Sequence, residues 1–314
     1  MSQEYKRKDL FHPRWVPSWI AFALWWLIVQ LLPYKLQMKI GAGLGIVAKK
    51  LVKNRTIVAK KNIDLCFPEK TEEEKNALLN ASMINIGKGF MESGIAWFWP
   101  AWRLKKLYRI NGLEYLQKAK QEGQGVIYMA IHFTPIEICA AFINLSYSID
   151  GFYRPHANAV YEFIQGWGRI RHNSHSQVIP SRDTRGIIKA LRQKRVVNYA
   201  ADHDYGRSHS VFVPFFGVEA ATVTAPAKLA KMGRAQVIPY ATKRLEKDAG
   251  YVIDIYPPLE GLDEGDEIAN ANLINRFIEA RIRENPEQYL WVHRRFKSRP
   301  DRNKDFYGLK KAKA

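Results

Sequence analysis

The 314-residue sequence contains only two cysteines, Cys66 and Cys139, and they stand far apart in the chain. This excludes a disulfide framework and a cysteine-based zinc site, and it fits a protein of a reducing compartment. The sequence also lacks an internal repeat, and no Pro/Gly/Ser linker is long enough to divide its second half. One large domain or two smaller ones would fit this length and its 47% of hydrophobic residues.

Acidic residues are scarce: 30 Asp and Glu stand against 49 Lys and Arg, which gives a net charge of +19. A surface this basic favours an anionic partner, such as nucleic acid, an anionic membrane, a phosphorylated substrate or an acidic protein. Residues 291–297 interleave basic and aromatic side chains, which could stack on nucleic-acid bases. No recognisable nucleic-acid-binding motif accompanies them, and contact with anionic headgroups or phosphates fits equally well.

Long apolar runs are also scarce, because a single run of 20 residues without a charge lies between Arg14 and Lys35. A helix over residues 18–32 would rise roughly 22 Å, against roughly 30 Å of hydrocarbon in a bilayer. It would therefore be a short span or a deeply embedded anchor, and its apolar residues on all faces disfavour an amphipathic surface helix. The alternative is a buried helix of the globular domain. We expect residues 1–34 to form an N-terminal membrane anchor helix.

Strand and helix patterns alternate from residue 125 onward. The predicted strands are 126–131, 149–153, 177–180, 196–200, 211–214, 235–241 and 251–256, and the predicted helices are 135–146, 158–171, 182–194, 222–232 and 266–284. This alternation predicts an α/β fold with a central mixed, largely parallel sheet flanked by helices. We expect a domain over 35–297, helical over 35–110 and α/β over 111–297. A loose basic tail follows at 298–314.

One histidine and one glutamate stand out in the apolar stretch 125–143. His132 follows the predicted strand 126–131, and open α/β sheets bind ligands at the carboxyl ends of their strands. Histidine is a suitable general base near neutral pH, and a neighbouring carboxylate would stabilise its protonated form. The alternative is a hydrogen-bonded histidine of the core.

Glu137 has two possible roles. Thr134, Pro135 and Glu137 together match a capping box at the start of the next helix. The same carboxylate could instead support His132, and both interpretations remain open at this point. No serine lies near His132 in sequence, so direct transfer to a substrate hydroxyl is simpler than a covalent intermediate.

Charged residues follow two other predicted strands. Arg154 lies at a strand end, where it would be either an anion-binding residue or an ordinary surface arginine. Asp202, His203 and Asp204 follow the strand 196–200. Their spacing is too generic to indicate a metal site, and we expect the two aspartates to shape the loop.

These segments, taken in order, resemble the late acyltransferases of lipid A biosynthesis, the lauroyl/myristoyl transferase family. That family belongs to the glycerolipid-type acyltransferases, which carry a His-x4-Asp/Glu motif, found here as His132 to Glu137. The resemblance covers nearly the whole chain through residues 11–15, 62–69, 132–137, 153–158, 202–206, 213–217 and 291–300. His203 departs from the family pattern, in which Gln or another polar residue is expected.

The resemblance implies a glycerolipid-acyltransferase-like fold on the cytoplasmic face of a Gram-negative inner membrane. The donor would be an acyl chain on acyl carrier protein, and the acceptor the hydroxyl of a 3-hydroxyacyl chain on an anionic, Kdo-bearing lipid A precursor. His132 would be the general base and Glu137 its support. Substrate contacts are expected from Arg154, His156, Asn158, Asp202, Asp204, Arg294 and Arg295.

The resemblance implies neither a metal nor a cofactor, and the expected partners include membrane lipids but not nucleic acid. Three alternatives remain open on the sequence alone. The acceptor could be another glycolipid or a lysophospholipid. The chain could be a membrane-tethered nucleic-acid-binding protein, or a non-catalytic scaffold in which His132 has no function.

Overall fold

The structure, a computed structural model, describes residues 7–153, 155–262, 265–301 and 305–308. Over these residues the α-helices are α1 (Arg7–Leu10), α2 (Val16–Leu31), α3 (Tyr34–Leu51), α4 (Lys53–Cys66), α5 (Glu72–Phe98), α6 (Ala101–Leu104), α7 (Leu113–Gln121), α8 (Ile136–Asn144), α9 (Ala159–Ile170), α10 (Thr184–Arg192), α11 (Ala225–Gly233) and α12 (Glu267–Glu284). The strands are β1 (Tyr108–Asn111), β2 (Gly125–Ala130), β3 (Asp150–Tyr153), β4 (Val178–Pro180), β5 (Val196–Ala200), β6 (Ser210–Phe215), β7 (Val218–Val223), β8 (Ala235–Arg244) and β9 (Tyr251–Ile255).

Seven strands form one mixed sheet in the order β1-β9-β8-β2-β5-β3-β4. Every neighbouring pair in it is parallel except β8 and β9, which are antiparallel. Buried apolar clusters cover the sheet on both faces, as expected for a parallel sheet. The predicted α/β architecture is confirmed. In the register of β2 and β5, Ala130 pairs with Ala200, so both strands end at the same level of the same edge.

The long helix α5 connects the helical N-terminal part to this sheet. It begins with a capping box, in which Thr71 Oγ1 accepts from Glu74 N and the Glu74 carboxylate accepts from Thr71 N. Helix α3 packs against it closely, because glycines face each other at the crossing. A Cβ at Gly45 would lie 2.1 Å from Met83 O, and one at Gly87 would lie 2.1 Å from Gly41 O. Larger side chains would force the two helices apart.

The apolar helix α2 is part of this packing. It has 16 residues, and across the described chain no helix combines the length and the apolar character needed to cross a membrane. A helix that spans the membrane, which was one of the two forms expected for the anchor, is therefore not supported among the described residues. Val29 is fully buried, and its carbonyl accepts a hydrogen bond of 2.8 Å from Trp99 Nε1. Trp25 stacks on Phe90 and meets Trp97 edge to face. Hydropathy could not reveal that aromatic side chains of α5 cover this side of the helix.

Part of the predicted C-terminal tail is also packed. Tyr307 is buried, accepts a hydrogen bond from Phe296 N and donates one of 2.7 Å to Asn62 Oδ1. The amide of Asn62 donates in turn to the carbonyls of Trp291 and His293, both at 2.6 Å. Residues 291–296 are therefore held in place from two sides, and the expectation of a loose tail is corrected for residue 307.

Candidate active site

His132 and Asp202 meet at the carboxyl ends of β2 and β5. Each follows its strand by two residues, so the paired register of Ala130 and Ala200 places them side by side. The His132 backbone N donates to Asp202 Oδ2 at 3.0 Å, and His132 Nδ1 lies 2.6 Å from Asp202 Oδ1. Asp202 is completely buried. Its carboxylate therefore binds both the backbone and the ring of His132.

The charge of Asp202 determines the tautomer of His132. Burial by itself would raise the pKa of the Asp202 carboxyl, but the charge and hydrogen bonds of His132 hold that pKa well below its usual range. An ionised carboxylate only accepts hydrogen bonds, so Nδ1 must carry the proton and donate. The Nε2 atom of a neutral His132 is then unprotonated, and no hydrogen bond to it occurs within the described chain. This arrangement is suited to a general base.

Glu137 contacts residues other than those predicted. Its Oε1 accepts from Trp97 Nε1 and Arg169 Nε, both at 2.8 Å, and its Oε2 accepts from Arg169 Nη2 at 2.7 Å. Helix α8 begins after Pro135 without a side-chain cap, and Thr134 Oγ1 is buried with no partner among the described residues. The predicted capping box is therefore wrong, because a guanidinium and an indole occupy the carboxylate.

The pair formed by Glu137 and Arg169 is largely buried and bidentate. Burial would raise the pKa of the Glu137 carboxyl, but the neighbouring guanidinium of Arg169 holds this pKa below its ordinary value. Burial would likewise lower the pKa of Arg169, which the Glu137 carboxylate raises instead. Both groups are thus charged, and two parallel N–H···O bonds orient the guanidinium plane.

His132 and Arg169 line the same groove, whose volume is about 960 Å³. This is within the range of small-molecule sites. Its apolar and aromatic lining includes Phe152, Ile187, Tyr199, Val223, Leu229 and Met232. Further cationic or titratable lining comes from Arg182, His209 and Lys228. The groove can therefore hold an apolar chain with its reactive end beside a base and a cation.

Three histidine rings form a stack beside the groove. The centroid of His203 lies 3.5 Å from that of His132 and 3.7 Å from that of His293, with interplanar angles of 6° and 7°. Burial lowers the pKa of His203 well below its ordinary value and the pKa of His293 to about 4. The central ring, His203, and the outer ring of His293 are therefore both neutral at physiological pH.

Donor atoms of His132, Asp202 and His203 lie within 4.8 Å of one another, close enough to consider a metal ion. The two rings are stacked face to face, however, so their in-plane lone pairs run parallel and do not converge on one point. A tetrahedral site needs converging ligands. This geometry suits stacking and proton transfer better than metal binding.

The loop after β3 contains His156 and Asn158, for which substrate contacts were expected. Asn158 caps α9, since its Oδ1 accepts from the backbone N of Val160 and Tyr161 at 3.0 Å, and its amide donates to Ser18 Oγ at 2.8 Å. The ring of His156 accepts from Asn158 N at 3.0 Å. Both side chains thus organise the loop. Arg154 lies outside the described residues.

The last predicted residues serve the packing of the C-terminal segment. Asp204 is buried and accepts from Gly206 N, Ser298 N and Ser298 Oγ, which confirms its predicted role in shaping the loop. Arg295 is 2% exposed and donates to Ala221 O at 2.6 Å and to Thr222 Oγ1 at 3.0 Å. A substrate cannot reach it there, so its expected substrate contact is corrected. Arg294 is partly exposed.

Arg169 and Trp97 are site residues that sequence reasoning missed. They lie on α9 and α5, and nothing in their local sequence marks them as partners of Glu137. The pairing of Asp202 with His132 did leave a signal, because both residues follow predicted strands by two positions or fewer. Without the order of strands in the sheet, this signal could not be read.

Comparison with known proteins shows the family to which the chain belongs. The family model described as bacterial lipid A biosynthesis acyltransferase matches residues 4–298. A lipid A biosynthesis lauroyltransferase of Escherichia coli K12 is 38% identical over 293 residues, covering 93% of this chain and 95% of that protein. A palmitoleoyltransferase of the same pathway and strain is 36% identical, with the same coverage. The lipid A biosynthesis myristoyltransferase of that strain is 28% identical, and the aligned region covers 96% of this chain and 95% of that protein.

The family match spans nearly all of the chain, and the lauroyl and palmitoleoyl relatives exceed 30% identity over nearly their whole length. The resemblance seen in the sequence motifs is thereby confirmed, and the chain is an acyltransferase enzyme. It belongs to the family of bacterial lipid A biosynthesis acyltransferases.

Proposed function

We propose that this enzyme transfers a fatty acyl chain from acyl carrier protein to the hydroxyl of a 3-hydroxyacyl chain on a Kdo-bearing lipid A precursor. The observation that carries the proposal is His132, held by a buried carboxylate and facing an apolar groove. The printed names of the relatives include lauroyl, palmitoleoyl and myristoyl transferases, so they do not select one chain length.

In this mechanism His132 Nε2 takes the proton of the acceptor hydroxyl. The oxygen of that hydroxyl attacks the thioester carbonyl of the donor at the same time. The carbon–sulfur bond then breaks, and the imidazolium returns the proton to the leaving thiolate. Asp202 stabilises the imidazolium through its hydrogen bond to Nδ1. General-base catalysis of this kind contributes roughly 10²–10⁴-fold.

Glu137 supports the reaction through Arg169 in this proposal. The guanidinium lines the groove that His132 faces, and the two bonds to Glu137 fix its plane. A fixed cation there is positioned to stabilise the oxyanion that forms on the thioester carbonyl. Glu137 is thus a positioning residue, while His132 and Arg169 touch the reacting groups.

The surface charge fits the proposed partners, since carrier protein, lipid A phosphates and Kdo carboxylates are all anionic. The net charge is +19, and Arg182 and Lys228 add cations to the lining of the groove. We keep Arg154 and Arg294 as proposed contacts to these anions. His156, Asn158 and Asp204 act indirectly, by holding the loops beside the groove.

Mass spectrometry of lipid A tests the proposal directly. We expect a Gram-negative host that lacks its own late acyltransferases to gain one secondary acyl chain when it expresses this protein, and the added mass gives the chain length. Expression of a His132→Gln variant at equal abundance should add none. New acylation of a phospholipid or another glycolipid, with lipid A unchanged, would instead support the alternative acceptor.

We also propose that the protein binds the cytoplasmic face of the inner membrane through an exposed apolar surface. One side of α2 and α3 exposes large apolar side chains: Ile20, Leu24, Trp26, Leu27, Leu31, Leu36, Ile40 and Leu44. Exposed cations stand among them, namely Arg14, Lys35 and Lys39. Apolar side chains next to cations are typical of surfaces that bind anionic lipids.

Vesicle flotation tests this surface. We expect the double variant Leu24→Glu, Leu31→Glu to bind vesicles of phosphatidylethanolamine and phosphatidylglycerol at least tenfold more weakly than the parent, because each exposed leucine loses about 1.5–3 kcal/mol of burial in lipid. Ile268→Glu is the matched control, since Ile268 is 58% exposed on α12. Equal flotation of the double variant and the parent would place the contact on another surface.

A further inference from the structure

His203 lies between two other imidazoles, and its role is not explained by the proposed reaction. Its centroid is 3.5 Å from that of His132, and the two planes differ by 6°. On its other face the centroid of His293 is 3.7 Å away. Within the described chain the Nε2 atoms of His203 and His293 are buried without a hydrogen-bond partner. These rings therefore interact with one another through face-to-face stacking.

Asp202 and His203 contact the His132 ring on different sides, one at its edge and the other on its face. Asp202 holds one edge of the ring through Nδ1, which fixes its tautomer but leaves it free to tilt about that bond. His203 covers one face of the ring and removes that freedom. Together they determine where Nε2 points. His293 covers the far face of His203 and is itself held by Asn62, whose side-chain amide donates a hydrogen bond to the His293 carbonyl.

The neutral state of His203 matters when His132 gains a proton. Groups that act on His203 are His132, Asp202, His293 and Arg295. Burial is the largest influence on His203 and lowers its pKa. Burial also lowers the pKa of His293, and the positive charges of Lys297 and Arg295 lower it further. A neutral aromatic ring stacked on a cation stabilises it through its π face, whereas a second charge at this distance would repel it.

We propose that His203 is a positioning residue that stacks on His132, fixes its ring plane and stabilises its protonated form during acyl transfer. This inference rests on the proposed role of His132 as general base. An amide in place of His203 could fill the space but would offer no aromatic face to the imidazolium.

Two substitutions separate stacking from mere filling of space. His203→Phe keeps a neutral aromatic face, while His203→Leu excludes water similarly but has none. We expect the Phe variant to keep kcat within about threefold, and the Leu variant to lose about tenfold in kcat with little change in KM. The acidic limb of the Leu pH–rate profile should lie roughly half a unit to one unit below that of the Phe variant. Melting curves check that both variants fold.

A second readout does not depend on acyl transfer. In ¹⁵N-histidine-labelled full-length protein, the titration curve of the His132 ring is identified by its loss in a His132→Gln variant. Its midpoint should be lower in the Leu variant than in the Phe variant. His293→Leu is the control, because His293 touches His203 and not His132 in the stack, and its effect on kcat should stay within about twofold.

These measurements distinguish two kinds of failure. A parent protein without acyl-transfer activity, in which the Leu and Phe midpoints still differ, overturns the proposed function but keeps the stacking role. Equal midpoints and equal kcat in the Leu and Phe variants overturn the role of His203, whatever the activity of the parent. If His203→Phe fails to fold, His203→Tyr provides the same aromatic face for the comparison.

Discussion

An Asp202→Asn variant is expected to lose at least a hundredfold in kcat while it remains folded. The amide can still accept from the His132 backbone, but its NH₂ group would then face Nδ1 and favour the tautomer that carries its proton on Nε2. The base would be blocked, and no carboxylate would stabilise the imidazolium. Losses of this size are known where an aspartate orients a catalytic histidine. Steady-state acyl transfer in detergent, with a melting curve for each protein, measures both effects.

Asp204→Asn is the matched control for this variant. Asp204 is also a buried aspartate of the same loop, but it binds Gly206 and Ser298 rather than His132. We expect Asp204→Asn to lower the melting temperature clearly and to lower kcat much less than Asp202→Asn does. Should Asp202→Asn retain near-parental kcat, the assignment of His132 Nε2 as the general base would be wrong.

Glu137→Gln is expected to destabilise the protein by about 3 kcal/mol and also to lose most of its activity. The substitution leaves the largely buried guanidinium of Arg169 without its counter-charge, and breaking one partner of such a pair is more costly than losing a surface pair. The loose guanidinium would then no longer be oriented in the groove. Chemical denaturation and acyl-transfer rates measure the two losses.

The pH dependence gives an independent check on this pair. The pKa of Glu137 is lower in the folded than in the unfolded protein, so its contribution is complete above the unfolded value of about 4.5 and is lost as pH falls through the folded value. In the Glu137→Gln variant the free energy of unfolding should therefore fall less steeply than in the parent as the pH is lowered. Asp64→Asn is the control, because Asp64 pairs with Lys60 at the surface, where such pairs contribute little. A Gln variant as stable as the Asp64 variant would show that the buried pair contributes little.

Much of the fold could be predicted because its signals are local. Buried strands such as β2 and β5 are continuous apolar runs, and the helices between them have clear periodic patterns. Strand β7 is not among the predicted strands, since Val218–Val223 contains two alanines and its end overlaps the predicted helix 222–232. Strand β1, with only four residues, has alternating exposure and too short a pattern to detect.

The candidate site could be predicted only as far as local sequence reaches. His132 was identified because a strand end and a titratable side chain coincide in one segment. Its pairing with Asp202 depends on β2 and β5 being neighbours in the sheet, although they are separated by β3 and β4 in sequence. Glu137 matched a capping box well, but a guanidinium from α9 competes more strongly for a carboxylate than backbone N–H groups do.

The hydrogen bonds of Tyr307 have a consequence for how the enzyme is made. Asn62 bonds to Tyr307 and to the carbonyl of His293, so the segment behind the histidine stack is tied to two residues that are 245 positions apart in the chain. During translation this link cannot form until residue 307 has left the ribosome. The catalytic edge of the sheet is therefore completed only after that point, and we expect a nascent chain that has not yet reached residue 307 to be inactive.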